Sequence, residues 1–188
     1  MPDMTGELRL PRPYPFTREQ YVRMAHADVF APDHNAELLC GGIYLRDSQS
    51  PAHAWALQRL NAKLVRALGG SADVFVRASL AAGADSMPDP DLYITRPNAD
   101  ATDYPDHALL VVEVADTSLA TDRDIKGPLY AAAGVPEYWI VDLTHQVFEI
   151  YRDPRNGRYA SLVTLGLGEF AHAIAVEGLS VDIAAVLA

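Results

Sequence analysis

The chain has 188 residues, of which 49% are hydrophobic and 21% are charged, and it carries a net charge of −10. This length suits one well-packed domain, and the acidic charge argues against a broad basic surface that coats DNA regardless of sequence. Cys40 is the single cysteine, which excludes an internal disulfide and suits a reducing compartment. The first residues lack a signal-peptide pattern, and no apolar run reaches the ~20 residues of a membrane span. We therefore expect a cytoplasmic protein that does not enter membranes.

A proline-rich arm followed by a short helix is predicted at the start of the chain. Residues 1–16 contain four prolines and little periodicity, and we expect them to form an arm ahead of a single domain over residues 17–188. Thr17 and Gln20 have the capping-box spacing, in which each side chain accepts a bond from the other residue's backbone N–H. This pattern predicts a helix over residues 18–26.

A β-hairpin and a long helix are predicted next. In the segment AELLCGGIYLRD, two short apolar runs flank Gly41 and Gly42, which favours a hairpin with a tight turn. Ser50 followed by Pro51 is a helix-start signal, a cap and then a first-turn proline. Apolar periodicity continues to Leu68, and the glycine pair that follows predicts the end of the helix.

Two strands and a loop are predicted in the middle of the chain. Residues 73–82 alternate well enough for a strand, and the segment PDPDLYIT predicts another, because its prolines hold the approach extended. Asp89 and Asp91 are two residues apart, so an extended backbone would point both to one side. Residues 96–107 are polar and rich in turn formers, which predicts a surface loop.

Residues 108–142 have the pattern of a strand, a helix and a second strand. The run ALLVV is typical of a strand buried on both faces, and a carboxylate, Glu113, follows within it. A basic segment with Lys126 then precedes the helix LYAAAGV and the strand EYWIVD. Two helix starts are compatible with Pro128: one with this proline in the first turn, and one near Asp122 with a kink at the proline.

The last part of the chain predicts antiparallel strands. HQVFEIYRDP, RNGRYASLVTL and GEFAHAIAVEGLSV are three such segments, separated by glycine turns. A short helix is expected over residues 179–187, with Asp182 in its first turn. The complete order of elements predicts a mixed α+β sheet sandwich rather than a doubly wound parallel sheet.

Glu113 is the most informative candidate site residue. Strand alternation places Leu109, Val111 and Glu113 on one face and the intervening residues on the other. A buried ionised carboxylate is costly unless it is paired or binds a metal, and such acids cluster at functional sites. The structural alternative is that Glu113 emerges at the strand end or pairs with a buried arginine, such as Arg77.

Asp91 gains significance beside Glu113. Acids that follow prolines usually shape turns, but two acids from adjacent strands are suited to a hard cation with oxygen ligands. Magnesium or manganese fits this ligand set. Zinc fits poorly, because the chain has no HxxxH, HExxH or CxxC pattern. Two acids and a lysine are the minimum set for metal-assisted phosphodiester cleavage.

Three other polar residues have both a functional and a structural interpretation. Lys126 would flank a helix N-terminus, a natural anion site, or would be a solvated surface lysine. Glu37 opens the first hairpin strand and would most simply be a solvated strand-end acid. His53 lies in the first turn of the long helix, either exposed near the cap or in contact with substrate or the site acids.

The segments PDLYI, LLVVEVADTS and DRDIKGPLYAAAGVPEYWIVD, in this order and spacing, resemble the Uma-two family of putative restriction endonucleases, which belongs to the PD-(D/E)XK nuclease superfamily. The upstream AELLCGGIYL, and His53 in PAHAWALQRL, resemble the N-terminal hairpin and helix of that family. The likeness covers roughly residues 15–185. It implies a restriction-endonuclease-like core, with a central mixed β-sheet flanked by helices.

The resemblance also implies roles for individual residues. Asp91 and Glu113 would be the metal-binding acids, and Lys126 would support the attacking water or the phosphate. The resemblance makes Glu37 a plausible member of the ligand shell, and it strengthens the functional interpretation of His53 to a smaller degree. The general superfamily motif places a lysine two residues after the glutamate, and here that residue is Ala115. Lys126 must then reach in from the helix, as in the family itself.

The leading hypothesis is therefore a metal-dependent endonuclease that hydrolyses DNA. Asp91 and Glu113, with the carbonyl of Val114, would bind Mg²⁺ or Mn²⁺, and the acidic charge predicts weak, salt-sensitive DNA binding. A homodimer would supply the two sites that double-strand cutting needs. One alternative is a nuclease-like binding or regulatory module without turnover, and another is a hydrolase of smaller phosphoesters with the same site.

Overall fold

The computed structural model describes residues 12–31, 35–46, 48–97 and 102–188. The predicted arm over residues 1–16 and the predicted loop over residues 96–107 therefore lie partly outside the described residues. The elements follow one another in this order: α1 (Arg18–His26), β1 (Ala36–Leu39), β2 (Gly42–Leu45), α2 (Pro51–Leu68), β3 (Asp73–Val76), β4 (Leu92–Thr95), β5 (Leu110–Ala115), α3 (Leu119–Thr121), a π-helix (Asp122–Lys126), α4 (Gly127–Ala132), β6 (Glu137–Asp142), β7 (Val147–Arg155), β8 (Arg158–Leu165), β9 (Phe170–His172), β10 (Ser180–Asp182) and α5 (Ala184–Leu187).

A six-stranded mixed sheet forms the centre of the fold. Its strand order is β3-β4-β5-β6-β7-β8, and β5 and β6 are parallel whereas every other neighbouring pair is antiparallel. The parallel pair is joined by the helical segment from α3 to α4, which confirms the predicted crossover. Two smaller two-stranded sheets, β1-β2 and β9-β10, stand apart from the central sheet. The predicted mixed α+β class is confirmed.

Each face of the central sheet buries its own apolar cluster. One cluster joins α2, β9, β10 and α5 to the sheet through residues such as Leu60, Val112 and Trp139. The other lies beneath α4 and includes Val111 and Tyr130. Strand β5 is buried along its whole length because helices or strands cover both faces, as its continuous apolar run predicts. Glu113 shares the α4 face with Val111, as the alternation predicts.

The first two helices begin where their capping residues predict. The Thr17 hydroxyl accepts the N–H of Gln20, and the Gln20 side chain accepts the N–H of Thr17, completing the capping box. At α2, the Ser50 hydroxyl accepts the N–H of His53 at 3.1 Å. Helix α2 ends at Gly69, which takes the left-handed conformation. The direction of α2, and with it the position of His53, is thus set by local sequence.

The predicted hairpin and the predicted strand over residues 73–82 differ in detail from the structure. The hairpin turns on Cys40 and Gly41, both with positive φ, and Gly42 already belongs to β2; two positive φ angles are what a tight hairpin turn needs. Strand β3 stops at Val76 because Arg77 takes a φ of 49°, which turns the chain out of the sheet. The sequence offered no glycine to mark that turn.

The crossover helix begins before Asp122, as one of the two alternatives predicts, but it contains a π-helix rather than a proline kink. Gly127 donates its N–H to the carbonyl of Asp122, five residues earlier. Pro128, which has no backbone N–H to donate, follows directly. The wider turn therefore accommodates the proline and carries Lys126 at its end.

The C-terminal region departs most from expectation. The segment GEFAHAIAVEGLSV, predicted as one strand, forms the two short strands β9 and β10, which pair with each other. The last helix starts at Ala184, and Asp182 lies before it and accepts the N–H of Ala184 at 3.1 Å. The prediction that Asp182 lies in the first turn is therefore wrong. None of the helices in the described part of the chain is long and apolar enough to cross a membrane.

Candidate active site

A cleft of about 370 Å³ opens between the β1–β2 hairpin, the start of α2, the start of β4, the end of β5 and the π-helix. The residues that line it combine an excess of carboxylates with two cationic side chains: Glu37, Asp91, Glu113, Asp116 and Asp122 on the acidic side, and Arg46 and Lys126 on the basic side. An anionic ligand can enter such a cleft only if cations or a metal ion compensate these acids.

Asp91 and Glu113 come from adjacent strands and touch each other through the backbone. Asp91 directly precedes β4, and the register that pairs Leu92 with Val112 brings it beside Glu113. The backbone N–H of Asp91 donates to Glu113 Oε2 at 3.2 Å, and the backbone N–H of Val114 donates to Asp91 Oδ2 at 3.0 Å. The two residues are 4% and 3% exposed. Their separation is therefore fixed by sheet register rather than by loop conformation.

Lys126 reaches Glu113 from the crossover helix. Its Nζ lies 3.0 Å from Glu113 Oε1, 3.5 Å from Glu37 Oε2 and 4.0 Å from Asp122 Oδ1. The lysine is 6% exposed, so the interpretation of a solvated surface lysine is wrong. Arg77, the sequence-based candidate partner of Glu113, makes no ion pair with it within the described ranges; Lys126 takes that place.

Glu37 and His53 complete the group of residues that the sequence singled out. Glu37 is 5% exposed and accepts the backbone N–H of Asp89 at 3.3 Å, so the interpretation of a solvated strand-end acid is wrong. His53 is also buried, and its Nε2 lies 2.8 Å from Asp91 Oδ2. Because an ionised carboxylate only accepts, Nε2 carries the proton. His53 Nδ1 has no hydrogen-bond partner in the described part of the chain.

Three residues of the site were missed by the sequence analysis. The Tyr130 hydroxyl donates to Glu113 Oε1 at 2.7 Å, and Asp122 is buried beside Lys126, where it accepts a bond from the Ser118 hydroxyl at 2.6 Å. Asp122 and Tyr130 each stand four residues from Lys126, a helical spacing that places side chains on one face. That spacing was a usable signal. Arg46, which follows β2, had none.

Burial raises the pKa of a carboxyl group, whereas nearby cations and hydrogen-bond donors lower it, and the balance differs among the three acids of the cleft. Burial raises the pKa of Glu113 to about 8, with Lys126 opposing the shift and the neighbouring acids adding to it. Burial likewise raises the pKa of Asp122 to about 6, again against the charge of Lys126. At Asp91, burial is outweighed by the bonds from His53 and Val114 and by the charge of Arg46, so its pKa is lowered. The two principal acids thus differ in protonation near neutral pH.

The Lys126 ammonium stays charged. Burial acts to lower its pKa, but the nearby Glu113, Glu37 and Asp122 carboxylates raise it above the ordinary lysine value. A lysine that holds its proton so firmly cannot accept one from water near neutral pH. Its chemistry in this cleft is that of a fixed positive charge and a hydrogen-bond donor.

The Glu113 carboxyl should make the metal-free protein less stable as the pH rises toward 8. Its pKa is raised from 4.5 to about 8, so between these values the folded state holds a proton that the unfolded chain releases. The free energy of unfolding then falls with pH, by at most about 1.4 kcal/mol per pH unit. The variant Glu113→Gln lacks this proton and should show a shallower fall, measured by urea denaturation in EDTA.

The range from about pH 6 to about pH 8 separates the titration of Glu113 from that of Asp122, because the pKa of Asp122 is raised only to about 6. Glu149→Gln is the matched control, since it removes another buried carboxylate and leaves the surroundings of Glu113 unchanged. The control should keep the wild-type slope. Equal slopes in Glu113→Gln and the wild type would contradict the assignment of this proton.

The donor set fits a hard divalent cation. Within the described ranges, no three His, Cys, Asp or Glu side chains are grouped as metal ligands, so side chains alone would supply two carboxylates, Asp91 and Glu113. Mg²⁺ is commonly held by one or two carboxylates and several waters. The N–H of Val114 points at Asp91, and a strand residue directs its carbonyl to the same edge. This orientation makes the Val114 carbonyl an available third oxygen.

Comparisons with known proteins identify the family and the fold of the chain. A profile named Uma2 and described as "Putative restriction endonuclease" matches residues 18–184. Among solved structures, a putative nuclease belonging to DUF820 from Anabaena variabilis ATCC 29413 superposes with a TM-score of 0.73 at 13% sequence identity, over 92% of this chain and 98% of that chain. At this identity the likeness shows the fold alone, and this shared fold confirms the predicted core. No curated protein matches the chain significantly.

Proposed function

The chain belongs to the Uma2 family of putative restriction endonucleases, and we propose that it is a divalent-metal-dependent endonuclease that hydrolyses DNA phosphodiester bonds. The observation that carries the proposal is the contact between Asp91 and Glu113 across adjacent strands, with Lys126 Nζ 3.0 Å from Glu113. Two carboxylates and a cation held at this spacing are suited to phosphodiester hydrolysis.

Each residue of the proposed site has a distinct task. Asp91, Glu113 and the Val114 carbonyl would hold Mg²⁺ or Mn²⁺, which supplies an activated water and neutralises phosphate charge when bound. Lys126, as a fixed cation, would stabilise negative charge that develops on the phosphate. His53 orients the Asp91 carboxylate through Nε2, and Tyr130 orients that of Glu113. Such supporting bonds are typical of metal sites.

The proposed site departs from the PD-(D/E)XK pattern in the origin of its lysine. Ala115 occupies the position two residues after Glu113, and Lys126 comes from the π-helix instead. Lys126 is nevertheless within hydrogen-bond distance of Glu113. We therefore assign it the role that the strand lysine has in that pattern. Glu37, 3.5 Å from Lys126, would help to position it.

Cleavage of supercoiled plasmid by the purified protein tests the proposal. Nicking or linearisation in Mg²⁺ or Mn²⁺, abolished by EDTA, is the expected result. Calorimetry with the same ions, without DNA, separates metal binding from turnover. Metal binding without cleavage of any DNA form would contradict the endonuclease proposal. Cleavage of a small phosphoester that DNA does not inhibit would point to the smaller substrate.

A nuclease-like binding module without turnover is the second candidate. The observation that favours it is that both oxygens of Glu113 already accept hydrogen bonds, from Lys126, Tyr130 and the N–H of Asp91. An acid engaged in this way is available to a cation only if those bonds rearrange. DNA binding that is unchanged by EDTA, in the absence of cleavage, is the result that this candidate predicts.

The wider setting is proposed on the same basis. With a net charge of −10, DNA binding is expected to be weak and salt-sensitive, and a homodimer would add contact surface. We propose that residues 17–188 form a single domain, in line with the profile match over residues 18–184. The single, unpaired Cys40 suits a cytoplasmic protein.

A further inference from the structure

Arg46 is held at its backbone and extends its side chain into the cleft. It directly follows β2, and its N–H donates to the carbonyl of Asn35 at 2.8 Å, which ties it to the start of the hairpin. Its side chain is 13% exposed and lines the cleft. The base of this side chain is therefore fixed, while its guanidinium faces the space in which a substrate would lie.

The Arg46 guanidinium is weakly engaged. It lies 3.6 Å from Asp89 Oδ2 and 3.7 Å from Asp91 Oδ1, beyond hydrogen-bond distance in both cases, and it donates no hydrogen bond within the described residues. Arg152 differs, since its Nε donates to Glu137 at 2.9 Å. A guanidinium has five N–H donors, and leaving them unpaired in a mostly buried place is costly. The donors of Arg46 are thus available to a ligand.

The unused N–H donors of Arg46 favour an anionic ligand at this point of an otherwise acidic cleft. Five carboxylates line the cleft against two cations, and Lys126 is committed to carboxylates at 3.0, 3.5 and 4.0 Å. Arg46 is the lining cation in the described part of the chain whose donors are not already used. A planar guanidinium matches two oxygens of a phosphate with two parallel N–H donors. A substrate phosphate would supply the acceptor oxygens that the N–H donors of Arg46 lack.

We propose that Arg46 binds a backbone phosphate of the nucleic acid in the cleft, on the side of Asp89 and Asp91. This assignment rests on the proposed nuclease function and adds to it the residue that contacts the substrate. Arg46 is therefore a binding residue, distinct from Lys126, which is bonded to Glu113.

The test measures DNA affinity at several salt concentrations with wild type, Arg46→Gln, Arg46→Lys and the control Arg66→Gln, in Ca²⁺ to favour binding over cleavage. Arg66 is exposed near the far end of α2, so Arg66→Gln removes the same charge at a place outside the cleft. We expect Arg46→Gln to weaken binding of a fluorescent oligonucleotide by about 10- to 100-fold. The magnitude of the slope of log affinity against log salt concentration should also fall by about 1, the amount expected for the loss of one phosphate contact. Arg46→Lys should recover part of the affinity.

The outcomes separate this assignment from the proposed function. If Arg46→Gln matches Arg66→Gln in affinity and salt slope, Arg46 is only a counter-ion of the acids and the assignment fails alone. If the wild type binds no oligonucleotide, the nuclease proposal fails and the assignment fails with it. A loss of affinity in Arg46→Gln with an unchanged salt slope would also overturn it, because a lost phosphate contact must change that slope.

Discussion

Glu113→Gln and Asp91→Asn should each lower metal-dependent DNA cleavage by about 10³-fold or more. A metal ion contributes several kcal/mol of transition-state stabilisation, and losing about 4 kcal/mol corresponds to a factor of about 10³ in rate. Each substitution removes one of two buried carboxylates whose residues are joined by the bond from the Asp91 N–H to Glu113. The rate of plasmid nicking in Mg²⁺ or Mn²⁺ measures the effect.

Glu149→Gln is the matched control for these two variants. Glu149 is also buried, but it bonds Arg123 of the π-helix and Tyr151 of β7, and neither of these residues lines the cleft. Cleavage by this control should stay close to wild type. Calorimetric titration should show lost or weakened metal binding in the two site variants and unchanged binding in the control. Full activity in either site variant, with folding verified by circular dichroism, would contradict the assignment of that acid as a metal ligand.

Lys126→Met should destabilise the metal-free protein by about 3 kcal/mol or more at a pH above 8. The substitution leaves Glu113, Glu37 and Asp122 close together in a buried site without the cation that they share. Removing one partner of a buried ion pair costs about 3–5 kcal/mol. The loss should shrink at lower pH, because Glu113 can then take up a proton. Urea denaturation at two pH values measures it.

A double variant isolates the interaction between the lysine and its nearest acid. Lys126→Met combined with Glu113→Gln should recover part of the stability lost in Lys126→Met alone, because one uncompensated carboxylate is gone. Lys63→Met is the control, since Lys63 is the other lysine of the chain and lies on α2. It should change stability by less than about 0.5 kcal/mol. Additive losses in the double variant would contradict direct coupling.

The principal acids were predictable because their signals are local. An acid inside a continuous apolar strand, such as Glu113, has few structural explanations, and the crossover pattern brings the next helix over the same face of the sheet. The structure places both Asp91 and Lys126 in contact with Glu113. Their roles stay predictions, since the geometry supports metal binding and catalysis without testing either.

Other features depend on contacts that sequence patterns do not encode. Tyr130 looked like an ordinary core aromatic, and only the register between helix and strand reveals that its hydroxyl reaches Glu113. Arg77 turns the chain with a positive φ although a glycine is usual there. Strands β9 and β10 pair with each other and not with the central sheet, and such a choice of partner depends on tertiary packing rather than on propensity.

The π-helix before α4 has a consequence for sequence alignment. A π-helix spreads each turn over more residues than an α-helix does, so the segment from Leu119 to Ala132 uses more chain than a regular helix along the same path. A relative with a regular helix here would carry its equivalent lysine at a different count from the strand acid. A gapless alignment of two such chains would pair Lys126 with the wrong residue. Superposed structures, rather than motif spacing, identify the equivalent lysine.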